Sequence, residues 1–147
     1  VCLKLLEESG VDLASCKLFL ADLGPGSFTG TRVGVMLAKT FGYTYGAECG
    51  GADAFDLISA TETVVFPSKR GEWFVRSPGT QVVRQTELPE GEFVGFGPGI
   101  ESEVFPEAKR FAAILGQISK VPAVALAPEY LIEPSISIPK KAGVLPV

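Results

Sequence analysis

The stretch LADLGPGSFTGTRVG, residues 20–34, constrains the fold more than any other part of this chain. Ahead of the glycines runs KLFLADL, a continuous apolar segment centred on Phe19 and Leu20, which reads as a buried, parallel strand. Behind them runs TRVGVMLAKTFGYTYG, a helix whose free amides Ser27 or Thr29 can cap. A strand that turns through glycines into a helix is an α/β unit, so the chain is expected in the α/β class.

The loop itself has several chemical uses. Its backbone amides sit at the positive end of a helix dipole and could hold an anion. No lysine follows the last glycine, so the cation that a phosphate-binding loop brings to terminal phosphates is missing. Nor do Gly24, Gly26 and Thr29 reproduce the third small position of a dinucleotide fingerprint. Ser27 as a nucleophile has neither a histidine nor a neighbouring lysine to deprotonate it. Capping, anion contact and catalysis remain the alternatives, with capping the plainest use of these residues.

The chain of 147 residues contains no histidine, which excludes Ser-His-Asp and Cys-His catalysis and any histidine-ligated metal. Its 46% hydrophobic content can build a real core, yet no run approaches the 18 to 20 or so apolar residues that span a bilayer, so neither a membrane segment nor a signal peptide is expected and a cytoplasmic location follows. Cys2, Cys16 and Cys49 are widely spaced and read as small core thiols. With a net charge of −4 and thinly spread basic residues, any contact with RNA would draw its positive surface from another protein.

Around the central unit, residues 2–9 pattern as a helix ended by Gly10, and residues 52–60 as a short helix with Asp53 at its start. ETVVF, EWFVR, TQVVRQTE and EFVGF, separated by PSKRG, SPG and LPEG, predict a meander of antiparallel strands. Pro106 opens a helix over PEAKRFAAILGQISK with Phe111, Ile114, Leu115 and Ile118 on one face; VPAVALAP predicts one more strand, and a tail with prolines at 128, 134, 139 and 146 is expected to be extended. This divides the chain into a first lobe, residues 1–60, and a second, residues 61–147.

In the helix behind the loop, Gly30, Gly34, Ala38, Gly42 and Gly46 recur every four residues, and Arg32 and Lys39 are its only charges. Glycine inside a helix costs roughly 1 kcal/mol relative to alanine, so its recurrence implies close approach of another backbone. A helix that is apolar nearly all round is buried on two sides. The expectation is a partner helix against Gly34, Ala38 and Gly42, with Val33, Leu37 and Phe41 turned to the chain's own sheet.

GPGSFTGTRVG, residues 24–34, closely resembles the GPGSFTGLRIG signature of the TsaB (YeaZ) family, with Thr31 in place of an apolar residue. SKRGEWF is similar to the family's RRGEVY-type strand turn, and PEYL to its PxYL-type ending. The signature carried over residue by residue is Gly24, Pro25, Gly26, Ser27, Phe28, Thr29, Gly30, Arg32 and Gly34. Family members begin with a strand carrying an aspartate and a hairpin; this chain begins inside the helix that follows, so it is expected to be either N-terminally truncated or a divergent relative, and without those strands KLFLADL would expose an apolar edge.

The resemblance implies an actin-like (ribonuclease H-like) two-lobe α/β fold and a noncatalytic subunit in the formation of threonylcarbamoyladenosine on tRNA. Its implied partners are a TsaD-like catalytic subunit, which holds the metal, a TsaE-like ATPase, and a second copy in a homodimer, with tRNA met only through the complex. Pairing through the first two helices maps the interface onto Leu3, Leu6, Gly34, Met36, Ala38, Gly42 and Tyr45. The competing readings are a nucleotide-binding ATPase or kinase-like fragment of the same superfamily, and a folding fragment with no activity of its own.

Overall fold

The structure is a computed structural model that describes residues 2–69 and 71–130, and for residues 2 and 3 the backbone alone. The chain opens with helix α1 (Cys2–Ser9), closed by Gly10 in the left-handed conformation at φ 64°. A 3-10 turn, Leu13–Ser15, capped by Asp12, leads into β1 (Leu18–Asp22). The glycine loop then enters α2 (Phe28–Tyr45), where the Ser27 hydroxyl accepts from the Gly30 amide, and Gly46 ends the helix. Strand β2 (Glu48–Ala52) returns parallel to β1, with Leu18 opposite Glu48 and Asp22 opposite Ala52. Among the described residues β1 pairs with β2 alone.

Asp53 caps α3 (Ala54–Ile58), and the chain passes into a second sheet of β3 (Val64–Lys69), β4 (Glu72–Arg76), β5 (Val83–Gln85) and β6 (Val94–Gly95), ordered β5-β4-β3-β6. β3, β4 and β5 form the antiparallel meander, but β6 lies parallel to β3. The long connection from β5 carries the chain across to the other edge, which a simple meander does not do. Its register leaves Gly95 at φ 148° directly over the Val65 carbonyl, a position with no room for a side chain.

Three further expectations are corrected. The helix over 106–120 is broken into a 3-10 turn, Ala108–Arg110, one α-turn, α4 (Phe111–Ile114), and another 3-10 turn, Leu115–Gln117. Ile114 is buried and Phe111 and Ile118 pack beside it, but Leu115 points outward. Residues 121–128 are not a strand: they make one isolated bridge, Val121 to Cys49, and a 3-10 turn, Ala123–Ala125. The strand β2, which contains two glycines, was not anticipated. Arg70 of the expected turn, and Pro134, Pro139 and Pro146 of the expected tail, lie outside the described residues.

Two cores result. Ala21, Val35, Ala38 and Cys49 close the first together with Ala123 and Leu126, so residues 121–126 pack against the first sheet rather than with the second lobe. The second is aromatic: Phe55, Phe66 and Phe74 meet face and edge, with Phe96 stacked on Phe66 at 5.4 Å; α3 gives it Phe55 and Ile58, while Leu57 of α3 joins Ala52 and Ile114 in a small third cluster. Cys49 is a buried core thiol as expected, and Cys16 is half-buried.

The row of small residues on α2 makes two opposite outcomes testable. A Cβ on Gly42 would run into Cys49 Sγ and lie 3.1 Å from Ala123 Cβ, whereas one on Gly34 would meet nothing within 4 Å. Gly34→Ala should therefore raise stability by about 0.5–1 kcal/mol through helix propensity alone. Gly42→Ala gains the same propensity but overpacks a closed core at a cost of about 1–3 kcal/mol, so it should be net destabilising. Urea unfolding of the two variants checks both signs.

Candidate functional site

The glycine loop is tied to its own scaffold. Gly24, at φ 95°, donates its amide to Asp22 Oδ1 at 2.8 Å, and its carbonyl accepts from the Ala54 amide at 2.8 Å. The Leu23 amide donates to the Ala52 carbonyl, and the Glu129 amide to that of Leu23. A Cβ on Gly24 would lie 3.1 Å from the Glu129 carbonyl oxygen, so glycine is needed both for its φ and for this approach. Gly24 and Pro25 are buried, while Gly26, Phe28 and Thr29 are exposed. Arg32 lies over the Phe28 ring at 4.0 Å and donates from Nε to the Tyr130 hydroxyl at 2.8 Å, joining the helix start to the last described residue.

Beside the loop, a cleft of about 540 Å³ opens between the end of β2, the start of α3 and the 114–129 segment, lined among others by Gly51, Asp53, Asp56, Gln117, Ser119 and Glu129. Its charged residues are all carboxylates. Arg76 Nη1 donates to Asp53 Oδ2 at 2.6 Å and Nη2 to Asp56 Oδ1, while Asp53 Oδ1 accepts from the Asp56 amide at 2.9 Å. Burial holds the Asp53 carboxyl above the ordinary carboxylate range against the pull of the Asp56 amide and Arg76. Asp22 is raised in the same way, by burial first; the Gly24 amide works against the rise, and the charge of Asp53 adds to it. Among the described residues Arg76 is the base paired with these acids, and it is committed to two of them.

The second feature is the outer face of α2. Val33 and Met36 are each 62% exposed, Tyr43 is 77% and Leu37 36%, with Leu5 of α1 also exposed. Residues 33, 36, 37, 40 and 43 follow helical spacing, so they form one apolar stripe. Inside its edge runs an apolar groove of about 430 Å³ along β1, lined by Leu5, Leu6, Leu20, Gly34 and Leu37 among others.

The expected interface set is thus divided. Leu6 and Gly34 lie at the groove, Met36 stands on the exposed stripe, and Tyr45 is exposed but stacks on Phe19 at 6.4 Å. Ala38, only 5% exposed, and Gly42 are corrected: both are packed in the chain's own core. The side chain of Leu3 lies outside the described residues. The expected orientation is reversed for Val33, which faces outward; Leu37, 36% exposed, stands at the groove along β1, and Phe41 turns to the sheet and meets Phe19 at 5.5 Å. The close backbone approach implied by the small residues is used within the chain. Val33, Leu37, Tyr43 and Leu5 were missed as surface residues, although the spacing of the first three marks them as a stripe.

Residues 1–64 match the model of the TsaD family, described as tRNA N6-adenosine threonylcarbamoyltransferase. No curated protein sequence matches the chain. Among solved structures, the chain is similar to an uncharacterized protein with similarity to peptidase YeaZ from Pseudomonas aeruginosa. That likeness has a TM-score of 0.70 at 14% identity and covers 89% of this chain and 81% of the other. It is also similar to YeaZ from Pseudomonas aeruginosa, with a TM-score of 0.64 at 17% identity over 88% of this chain and 80% of that one. The chain therefore has the YeaZ fold, actin-like and ribonuclease H-like, and its likeness to TsaB (YeaZ) proteins extends from the signature to the architecture. Among the described residues no helix is long and apolar enough to cross a membrane.

The raised Asp22 carboxyl gives a pH dependence of definite sign. Its folded pKa lies above the unfolded value, so the folded state binds the proton more tightly. The ionised, buried carboxylate weakens the fold at neutral pH, and this cost is relieved as the pH falls through the folded pKa. Asp22→Asn, which keeps an oxygen for the Gly24 amide, should raise the urea midpoint at pH 7, with a gain that shrinks as the pH is lowered toward 4.

Proposed function

We propose that this chain is a TsaB-type, noncatalytic subunit in the formation of threonylcarbamoyladenosine on tRNA, and that it works by pairing with a TsaD-like catalytic subunit. The observation that carries the reading is the exposed apolar stripe of α2, Val33, Met36, Leu37 and Tyr43, on a chain with the YeaZ fold. Stripes of this size on a surface are used in association, and this one continues over Leu5 of α1. The match of residues 1–64 to the TsaD family supports the same process. In this reading a second copy competes for the stripe as a homodimer, a TsaE-like ATPase joins the pair, and tRNA is met only through the complex, in the cytoplasm.

The competing nucleotide-binding reading has the cleft of about 540 Å³ beside the glycine loop in its favour. Its lining works against it. A triphosphate would meet Asp53, Asp56 and Glu129, and Arg76 is already paired to the two aspartates. The loop amides that could receive phosphate are in part used, Gly24 by Asp22 and Gly30 by Ser27.

Met36→Lys places a charge in the middle of the stripe without touching the core. It should leave the melting temperature unchanged and weaken pairing with a TsaD-like protein by about one to two decades, the loss of a single interface anchor. Calorimetric titration of the wild-type and variant chains checks this. Wild-type chain that shows no heat of binding to the TsaD-like protein, but does with ATP, would favour the nucleotide reading instead.

A further inference from the structure

The exposed face of α2 has two unlike edges. Met36, Thr40 and Tyr43 run along its middle, and Leu37 borders the apolar groove on the side of α1. The other edge carries Arg32 and Lys39, seven residues and therefore two turns apart, about 10 Å along the axis. Each is held there by the segment that packs beside the helix. Arg32 donates from Nε to the Tyr130 hydroxyl at 2.8 Å, and Lys39 from Nζ to the Val124 carbonyl at 3.2 Å. Two shallow depressions follow one another along this face and meet at Thr40. The first, of about 420 Å³, lies beside Arg32, Val33 and Met36, and the second, of about 260 Å³, beside Lys39, Tyr43 and Val124, which is itself 73% exposed.

We propose that this face receives a helix of the TsaD-like partner whose one edge is acidic at seven-residue spacing, so that its carboxylates pair with Arg32 and Lys39 while its apolar side covers Met36, Tyr43 and Val124. The inference rests on the pairing through α2 proposed above and names the chemistry of what is paired. The charge pattern carries it. The chain has 17 acidic residues to 13 basic ones, yet α2 and the Ala123–Ala125 turn contain no carboxylate. Among the described residues no ion pair uses Arg32 or Lys39. A guanidinium and an ammonium beside apolar surface lose water when that surface is covered, and counter-charges on the covering molecule offset the cost. A second α2 has no such counter-charge to offer, which favours an unlike partner. Because both bases stand on one edge, they also set the direction of the partner helix. Turned about, its acids would face Leu37 and the apolar groove.

The test is calorimetric titration of the TsaD-like protein with the full chain at about 0.05 and about 0.5 M salt, a range over which exposed charges become screened. Lys39→Glu should weaken binding by about ten-fold at the lower salt, Lys39→Gln and Arg32→Gln by less, and the gap to the wild type should close at the higher salt. The melting temperature of the Lys39 variants should stay at the wild-type value, because the bond from Lys39 to Val124 is exposed. Lys39→Glu that binds as the wild type does, in titrations where Met36→Lys still weakens binding, would overturn the charged edge and leave the pairing through α2 standing. Wild-type chain with no affinity for the TsaD-like protein would overturn both. A loss in Lys39→Glu that persists at the higher salt would be one of packing and would overturn the charge match. Two results would assign the face to another occupant and overturn the proposal equally. One is a wild-type dimer in sedimentation that Lys39→Glu dissociates. The other is tighter binding by Glu133→Gln, which removes the one acidic side chain between residues 131 and 147 and would make the chain's own segment the occupant.

Discussion

The close seating of α2 on the first sheet is the contact on which the rest of the molecule depends. Ala38 and Gly42 bring the helix backbone down onto Cys49 and Ala123, and Cys49 Sγ lies 3.3 Å from the Ala38 carbonyl. The sheet beneath has only two described strands, and β2 is half glycine and alanine, so large side chains from the helix would have nothing to interdigitate with. Small residues therefore face inward. The same helix is apolar almost all round, which leaves Val33, Met36 and Tyr43 facing solvent. The apolar outer stripe is thus a direct consequence of how the helix is seated, and it is the surface on which the proposed pairing rests.

The second lobe is built by a different rule. Its core is a cluster of phenylalanines, to which α3 contributes Phe55 and the sheet Phe66 and Phe74. Phe96 stacks on Phe66 almost parallel, at 4°, and Phe105 stacks on Phe96 in turn. β2 ends at Ala52 and Phe55 already belongs to this core, so the chain passes from the first sheet to the aromatic cluster within three residues. Ala52, Leu57 and Ile114 form a small third cluster that joins β2, α3 and α4.

Much of this was legible where a single residue type has a single local use. Gly10 and Gly46 end helices at positive φ, and Ser27 and Asp53 cap the helices they precede. The apolar run of β1 and the β3 to β5 meander followed from composition and spacing. What was not legible depended on partners distant in the chain. ECGGA has poor strand propensity and is a strand because Glu48 to Ala52 fill the register beside β1. PEAKRFAAILGQISK has a helical period, yet the Glu107 amide is drawn to the Leu57 carbonyl and the segment tracks the surface of α3 in broken turns. In the candidate site, a stripe of small residues said that something approaches closely; it carried no information on whether that was the chain's own sheet or another molecule.

The loop shows why a motif alone underdetermines its chemistry. A glycine-rich turn between a parallel strand and a helix offers amides, a dipole and freedom of approach, which serve equally for an anion or for the fold. Here the recorded partners of Gly24 and Gly30 serve the fold. Gly24 is pinned between Asp22, Ala54 and Glu129, and Ser27 is occupied with Gly30. The nearest ionisable neighbours are acids whose carboxyls are already raised by burial, so an added phosphate would increase a charge density that the structure balances with one arginine. The same residues that mark the signature thus serve as a junction that fixes β1, α2, α3 and the 129–130 segment relative to one another. These hydrogen bonds hold the start of α2, and so set the geometry in which its apolar stripe is presented.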